Sequence, residues 1–269
     1  MQICFINRLE NIPRFCYHEL LSVAGNCRMC LVEDVKSLKP VVACTLIPME
    51  GAVIYTQTKK IKAAREAMLE FILINHPLDC PICCQGGECD LQDLTEIVGT
   101  DRGRFYESKR AVLNKNLGPL IKTLMNRCIH CTRCVRFSIE VSGISTLGIL
   151  GRGGKMEIGT YLESFIDSEF SGNLADICPV GALTSKPYSF KARPWELEGF
   201  ILLNMFDVFL TNIRIDVRGN NILRILPVYN TMFSNEWLAD DVRYSYDSLY
   251  KQRLLNPSIL INKFLVFQS

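Results

Sequence analysis

The placement of cysteine limits what this chain can become more than any other feature. Of its 13 cysteines, 12 fall in the first 134 residues, and 11 sort with one histidine into three groups of four. The first group is Cys16, Cys27, Cys30 and Cys44. The second is His76, Cys80, Cys83 and Cys89. The third is Cys128, Cys131 and Cys134 with the remote Cys178. A chain that must gather four separated ligands three times over is committed to loop-built metal sites, and small modules lean on such sites for their stability.

The spacings point to iron and sulfur. A loop cysteine, a C-x2-C pair and a distant fourth cysteine form the plant-type 2Fe-2S pattern, here with ten residues in the first gap instead of four. Ala24, Gly25 and Asn26 suit the longer wrap, because glycine and asparagine tolerate positive φ and leave amide groups free to face sulfur. In the second group, His76 stands at the exit of a helix expected to bury Ile61, Ala64, Met68, Phe71 and Ile72 and to stop at Pro77. Pro81 and Gly86-Gly87 then fold three thiols back toward the imidazole of a 4Fe-4S site. Replacing one thiolate by a neutral imidazole is expected to raise that site's potential. CIHCTRC followed much later by ICPVGAL is the ferredoxin-type 4Fe-4S pattern and the most specific motif in the chain. Ile129, Val135 and Ile177 are expected to shield it.

Two plainer readings compete. A disulfide framework is disfavoured by the odd cysteine count, the lack of a signal peptide and the adjacent Cys83 and Cys84. Structural zinc is the stronger rival, since C-x2-C pairs and a set of one histidine with three cysteines also suit zinc, although the C-x2-C-x2-C run with a Cys-Pro partner favours clusters. Cys4 and Cys84 complete no spacing and read as packing residues or incidental thiols. His18 and His130 read as donors to sulfur or as solvent-facing side chains. Arg28, Arg127, Arg133 and Arg136 read either as screening cluster charge or, preferentially, as a solvated or subunit-contact face.

The segments IPRFCYHELLSVAGNCRMCLVE, NHPLDCPIC, GGECDLQD, RCIHCTRCVRF and DICPVGALTSKP resemble the iron-sulfur domains of the largest peripheral-arm subunit of respiratory complex I. That resemblance implies an electron conduit with one 2Fe-2S and two 4Fe-4S clusters, receiving electrons from a flavin/NADH-binding subunit and passing them through a quinone-side iron-sulfur subunit toward ubiquinone. It implies a peripheral location on the matrix side of the mitochondrial inner membrane, or the cytoplasmic side of a bacterial plasma membrane. With no long Arg- and Ser-rich lead, a eukaryotic version is expected to be made inside the organelle. The runner-up functions are an iron-sulfur diaphorase subunit of a soluble NAD-linked hydrogenase and a non-redox zinc scaffold.

The implied fold is α+β. Residues 1–58 read as a 2Fe-2S ferredoxin-like β-grasp with strands around Arg28–Val35, Val41–Thr45 and Ala52–Thr56. Residues 59–115 hold the helix and the segment that carries His76 with its three cysteines. Residues 116–194 form a ferredoxin-type 4Fe-4S domain with GILGRGG as a turn-rich divider and a helix after Cys134 marked by Val135, Ile139 and Val141. Residues 195–269 form a β-rich tail resembling the start of a molybdopterin-oxidoreductase-like domain, with a strand pair across Phe200–Leu210 and a Gly219-Asn220 turn. Only fifteen residues precede Cys16, so the usual opening hairpin is expected to be shortened and covered by a partner chain. At the other end the large α/β remainder of the family is expected either as a separate chain or as lost. No molybdopterin is expected, nor a further tail cluster, since no cysteine follows Cys178. No G-x-G-x-x-G loop serves a nucleotide, no apolar run is long enough to span a bilayer, and a formal charge of +2 leaves no nucleic-acid footprint.

Overall fold

The computed structural model describes residues 1–7, 9, 11–204, 207, 210–230 and 236–251, and the backbone alone of 258–261 and 264–267. The chain divides into two compact units, Met1–Leu197 and Glu198–Ser269. Among the described residues no helix is long and apolar enough to cross a membrane.

The first unit opens with a short helix, α1 (Gln2–Ile6). The strands β1 (Leu31–Asp34), β2 (Val41–Val42) and β3 (Ile54–Tyr55) fall inside the predicted stretches and form an antiparallel sheet in the order β2-β1-β3. Ile12, Cys30, Val32, Val42 and Ala43 make its core, and Met1 and Cys4 of the N-terminal segment pack on it. Cys4 is thus a packing residue.

Helix α2 (Lys59–Ile74) starts where the Thr58 side chain accepts from the Ile61 amide, satisfying one of the free donors of the first turn. The Thr58 hydroxyl also donates to Glu33 at 2.7 Å, which fixes the helix start to β1. The buried stripe is Ile61, Arg65 and Leu69, rather than the expected Ile61, Ala64, Met68, Phe71 and Ile72, and Phe71 is exposed. The stripe turns because Arg65 donates twice to the Leu31 carbonyl, at 3.0 and 2.8 Å, so a cation satisfied by backbone occupies the place of an apolar residue. Lys109 donates to the Leu73 and Ile74 carbonyls, closing the helix end just before His76. Helix α3 (Asp90–Val98) begins immediately after Cys89, with Asp90 and Asp93 in its first turn.

Strand β4 (Ile121–Thr123) pairs with a strand far along the chain, and that pairing brings the fourth cysteine of the third group home. Between them lie α4 (Arg133–Glu140), the hairpin of β5 (Leu147–Leu150) and β6 (Glu157–Thr160), and α5 (Asn173–Ile177). Then comes β7 (Leu183–Ser185), antiparallel to β4 with Thr123 opposite Leu183. Of GILGRGG, the first three residues lie in β5 and GRGG begins the bend of the β5-β6 hairpin. Helix α4 already includes Cys134, and it buries Arg133, Cys134, Phe137 and Ser138 while Ile139 is exposed, so the face marked by Val135, Ile139 and Val141 is not the one buried.

In the second unit β8 (Glu198–Leu203), β9 (Asn212–Arg218) and β10 (Asn221–Pro227) form an antiparallel sheet in the order β10-β9-β8, with Gly219-Asn220 at the turn and Gly219 at φ +59°. The strand pair expected across Phe200–Leu210 is corrected for its first part: Phe200–Leu203 belongs to one strand, paired with β9, whereas Met205, Phe206, Val208 and Phe209 lie outside the described residues. Helix α6 (Asp240–Tyr244) covers the sheet, and Ile213, Ile225, Leu238, Val242 and Tyr246 form the core. Asp216 is fully buried between Arg214 and Arg224, each with Nε 2.7 Å from a carboxylate oxygen. Backbone strands β11 (Ser258–Ile261) and β12 (Phe264–Phe267) pair with each other. Gln252–Pro257, the QRLLNP segment, lies outside the described residues.

Candidate metal centres

All 13 cysteines are free thiols, which excludes the disulfide framework in this structure. The first group converges in pairs. Cys16 and Cys27 are hydrogen-bonded through their sulfurs, and the amides of Asn26 and Cys27 also donate to Cys16. These bonds hold the Cys16 thiol down at about 5, while the same sulfur pushes Cys27 up. Cys44 meets Cys30, and burial with that neighbour raises it to about 12. Gly25, at φ +64°, makes the wrap: a Cβ there would lie 3.0 Å from the Thr45 methyl.

The second group is built by a 3₁₀ turn, Cys80–Ile82, with Pro81 inside it and the Cys83 amide donating back to the Cys80 carbonyl at 3.3 Å. Cys83 and Cys89 are buried and Cys80 is exposed. Burial pushes the Cys89 thiol up to about 11, against amide bonds from Gln92 and Leu91 that favour the thiolate. His76 is held neutral at about 4 by burial and by the nearby Arg127 and Lys109, and its Nδ1 is buried without a hydrogen-bond partner. A neutral imidazole with an orphaned nitrogen suits a metal-ligand role. Arg193, which the sequence reading did not single out, donates to the Cys83 carbonyl at 2.5 Å and to the Pro81 carbonyl, while Trp195 lies where a Cβ on Gly87 would be 2.7 Å from its ring.

The third group is the most complete. Cys128, Cys131, Cys134 and Cys178 line one small cavity with Met125, Ile129, Ile158, Val180, Ala182 and Leu183. Ile129 shields it as expected, but Val135 does not line it and Ile177 is buried on α5. Burial raises Cys128, Cys131 and Cys178 to about 11 each and lifts Cys134 well above the usual thiol range. Amides of His130, Arg133 and Val135 oppose that rise at Cys128, Cys131 and Cys134, as do those of Val180, Ala182 and Leu183 at Cys178. His130 (φ +54°) and Thr132 (φ +62°) adopt left-handed backbone inside the motif, and the His130 amide donates to Cys128 at 3.4 Å. His130 therefore serves through its backbone, while its ring sits 3.5 Å from Arg110.

The groups are laced together. Arg127, beside Cys128, pairs with Asp79, beside Cys80, at 3.0 Å. The Cys89 thiol reaches the Pro179 carbonyl at 3.7 Å, and a Cβ on Gly181 would fall 2.2 Å from the Cys83 sulfur. Asn26 donates to the His130 carbonyl, and Arg136 donates to the carbonyls of Cys16 and Cys131. The preferred reading of the arginines as a solvated face holds for Arg28, which is exposed, and is corrected for Arg127 and Arg133, which are buried with some of their donors taken up by the Asp79 carboxylate and by the Tyr17 and Ile177 carbonyls. Among the described residues no three His, Cys, Asp or Glu side chains form a cage for a single metal ion.

Three family models match the chain. They are described as NADH-quinone oxidoreductase subunit 3, ferredoxin-like domain, over 118–184; NADH-ubiquinone oxidoreductase-G iron-sulfur binding region, over 65–104; and NADH-ubiquinone oxidoreductase NDSU1/NuoG-like, 4Fe-4S domain, over 203–247. The NADH-ubiquinone oxidoreductase 75 kDa subunit of Reclinomonas americana is 60% identical over 97% of this chain and 38% of its own length. The protein of the same name from Acanthamoeba castellanii is 58% identical over 90% of this chain and 36% of its own. The mitochondrial NADH dehydrogenase [ubiquinone] iron-sulfur protein 1 of Solanum tuberosum is 58% identical over 96% and 35%. A chain from an NAD+-reducing [NiFe]-hydrogenase crystal structure is 28% identical with a TM-score of 0.61, over 71% of this chain and 82% of that one. The chain spans less than two fifths of the length of these curated relatives.

Proposed function

We propose that this chain, as a member of the family of the NADH-ubiquinone oxidoreductase 75 kDa subunit, relays electrons within respiratory complex I. In this reading Cys16, Cys27, Cys30 and Cys44 hold a 2Fe-2S cluster. His76, Cys80, Cys83 and Cys89 hold one 4Fe-4S cluster, and Cys128, Cys131, Cys134 and Cys178 hold another. When bound, such clusters supply reversible one-electron chemistry. The chain's own residues supply the spacing, the buried apolar walls and the amide donors to sulfur that tune it.

The observation that carries the proposal is the return of Cys178 to the cavity of Cys128, Cys131 and Cys134, on a loop that also abuts Cys83 and Cys89. Contacts from the third group reach both of the others, which supports a relay running between the first and second groups through the third. The donor is proposed to be a flavin/NADH-binding subunit and the acceptor a quinone-side iron-sulfur subunit, on the matrix side of the mitochondrial inner membrane or its bacterial equivalent. No group on this chain is proposed to convert NADH or quinone. The 4Fe-4S model over the tail does not fit these residues as a cluster site, because 203–247 contain neither cysteine nor histidine. That stretch is proposed instead as the opening module of a molybdopterin-oxidoreductase-like region without its cofactor.

The hydrogenase neighbour favours a second reading, a diaphorase subunit of a soluble NAD-linked hydrogenase, built on the same fold. The test of both is anaerobic iron, zinc and acid-labile sulfide content. About ten irons and ten sulfides per chain are expected. About three zincs without sulfide would establish a zinc scaffold instead. Co-purification with quinone-reducing rather than hydrogen-oxidising activity separates the two redox readings.

A further inference from the structure

One side chain touches an element of every ligand group. Arg133 lies between Cys131 and Cys134 and is 7% exposed. Its Nη2 donates at 2.9 Å to the carbonyl of Tyr17, the residue after Cys16. Its Nη1 donates at 3.4 Å to the carbonyl of Ile177, the residue before Cys178. The same nitrogen is 3.7 Å from Asp90, the residue after Cys89. Arg127 and Arg136 are narrower in reach. Arg127 joins the second and third groups through Asp79, and Arg136 joins the first and third through Cys16 and Cys131.

We propose that Arg133 is the positioning residue that fixes the mutual placement of the three clusters and supplies a buried positive charge common to all of them. The proposal rests on the iron-sulfur reading given above. Its physical basis is the planar fork of the guanidinium, which presents donors in fixed directions and keeps its charge when buried. Two of the three partners are carbonyls, which carry no formal charge, and the one carboxylate, Asp90, pairs at 3.7 Å with its side chain half exposed, so solvent weakens that pair while the guanidinium itself stays buried. In a poorly screened interior such a charge acts over more than one contact distance. Adding an electron to any of the three clusters adds negative charge near it, so the cation favours the reduced form of each.

The test uses the full chain loaded anaerobically with iron and sulfide. Midpoints are read by EPR-monitored titration, and cluster separations by spin-relaxation enhancement between reduced clusters. Arg133→Met is expected to move all three midpoints to lower potential together, whereas Arg28→Met, at an exposed arginine inside the first ligand loop, is expected to leave the second and third in place. Arg133→Lys keeps the charge without the fork, so its midpoints should stay near those of the wild type while the cluster separations change. A shift confined to the third cluster, or none, would overturn the shared-charge role. If Arg133→Met takes up no iron, Arg133→Lys decides: three loaded clusters at wild-type separations would overturn the positioning role. Wild-type chain without iron and sulfide would overturn the underlying cluster reading, and this proposal with it, before any variant is made.

Discussion

Substituting Gly181 by alanine tests the joint between the second and third groups with the smallest possible change. A Cβ at this position would stand 2.2 Å from the Cys83 sulfur and 3.2 Å from the Gln85 Cβ. Ordinary non-bonded contact is roughly 3.5–4.0 Å, so the sulfur or the Pro179–Ala182 backbone must retreat by about 1.5 Å. Cys83 and Gly181 are both buried and the same loop carries Cys178, so either retreat moves a proposed ligand or its support. Overpacking of this kind costs about 1–3 kcal/mol. Because the displaced atom is a proposed ligand, the expected result is selective loss from the second group, about four irons and four sulfides per chain, with the first group's signal retained. Iron and sulfide analysis with EPR reads that outcome, and Gly103→Ala, where an added Cβ meets nothing within 4 Å, is the control. A Gly181→Ala chain with its full iron, unaltered spectra and unchanged denaturation midpoint would refute the argument that these two loops are in contact.

Asp216→Ala should destabilise the second unit by about 1–3 kcal/mol, because it removes two charge-assisted hydrogen bonds, from Arg214 and Arg224, to one buried carboxylate; hydrogen exchange in β9 and β10 reads it, and unchanged protection would count against the network. Tyr246, whose hydroxyl donates to the Leu223 carbonyl, is raised by burial to about 12. A raised phenol pKa means that its contribution is intact below pH 10 and is lost as pH climbs from 10 to 12, by at most about 3 kcal/mol. Tyr246→Phe should flatten that alkaline loss of protection, and an identical pH profile would exclude Tyr246 as its source. Arg193→Met removes the donor to the Cys83 and Pro81 carbonyls, at a cost of about 1–3 kcal/mol, and should speed the release of second-group iron to a chelator while third-group iron stays put.

Much of the site was legible because its grammar is local. Cys-x2-Cys spacing, Pro81, Gly25 and the Gly219-Asn220 turn each act within a few residues, and the structure places their turns where the sequence puts them. The strand stretches around β1, β2 and β3 were legible for the same reason. What escaped was set by distant partners. Nothing in the periodicity of Lys59–Ile74 announces that Arg65 is buried in place of Phe71, since the Leu31 carbonyl that receives it lies on another element. The burial of Arg127 and Arg133 depends on Asp79, Tyr17 and Ile177, all remote in sequence. Arg193 went unseen although it sits beside Pro194 and Trp195, because its targets are carbonyls on a loop far back in the chain. The signal that finds such residues is an arginine next to a ligand motif or a rigid dipeptide, with loop carbonyls in need of donors.

The return of the Ile177–Ala182 loop also sets a timetable. Cys178 is added 44 residues after Cys134. At ribosomal speeds of about 5–20 residues per second, the nascent third group stands one thiol short for roughly 2–9 seconds. The second group waits as well, although its last ligand is made at residue 89, because the wall that Pro179 and Gly181 place against Cys89 and Cys83 arrives with the same loop. The first group has all four of its residues earliest, by Cys44. Until that loop emerges, a newborn chain carries Cys80, Cys83, Cys89, Cys128, Cys131 and Cys134 without their final cover, and reducing conditions around the ribosome are a requirement written into its topology.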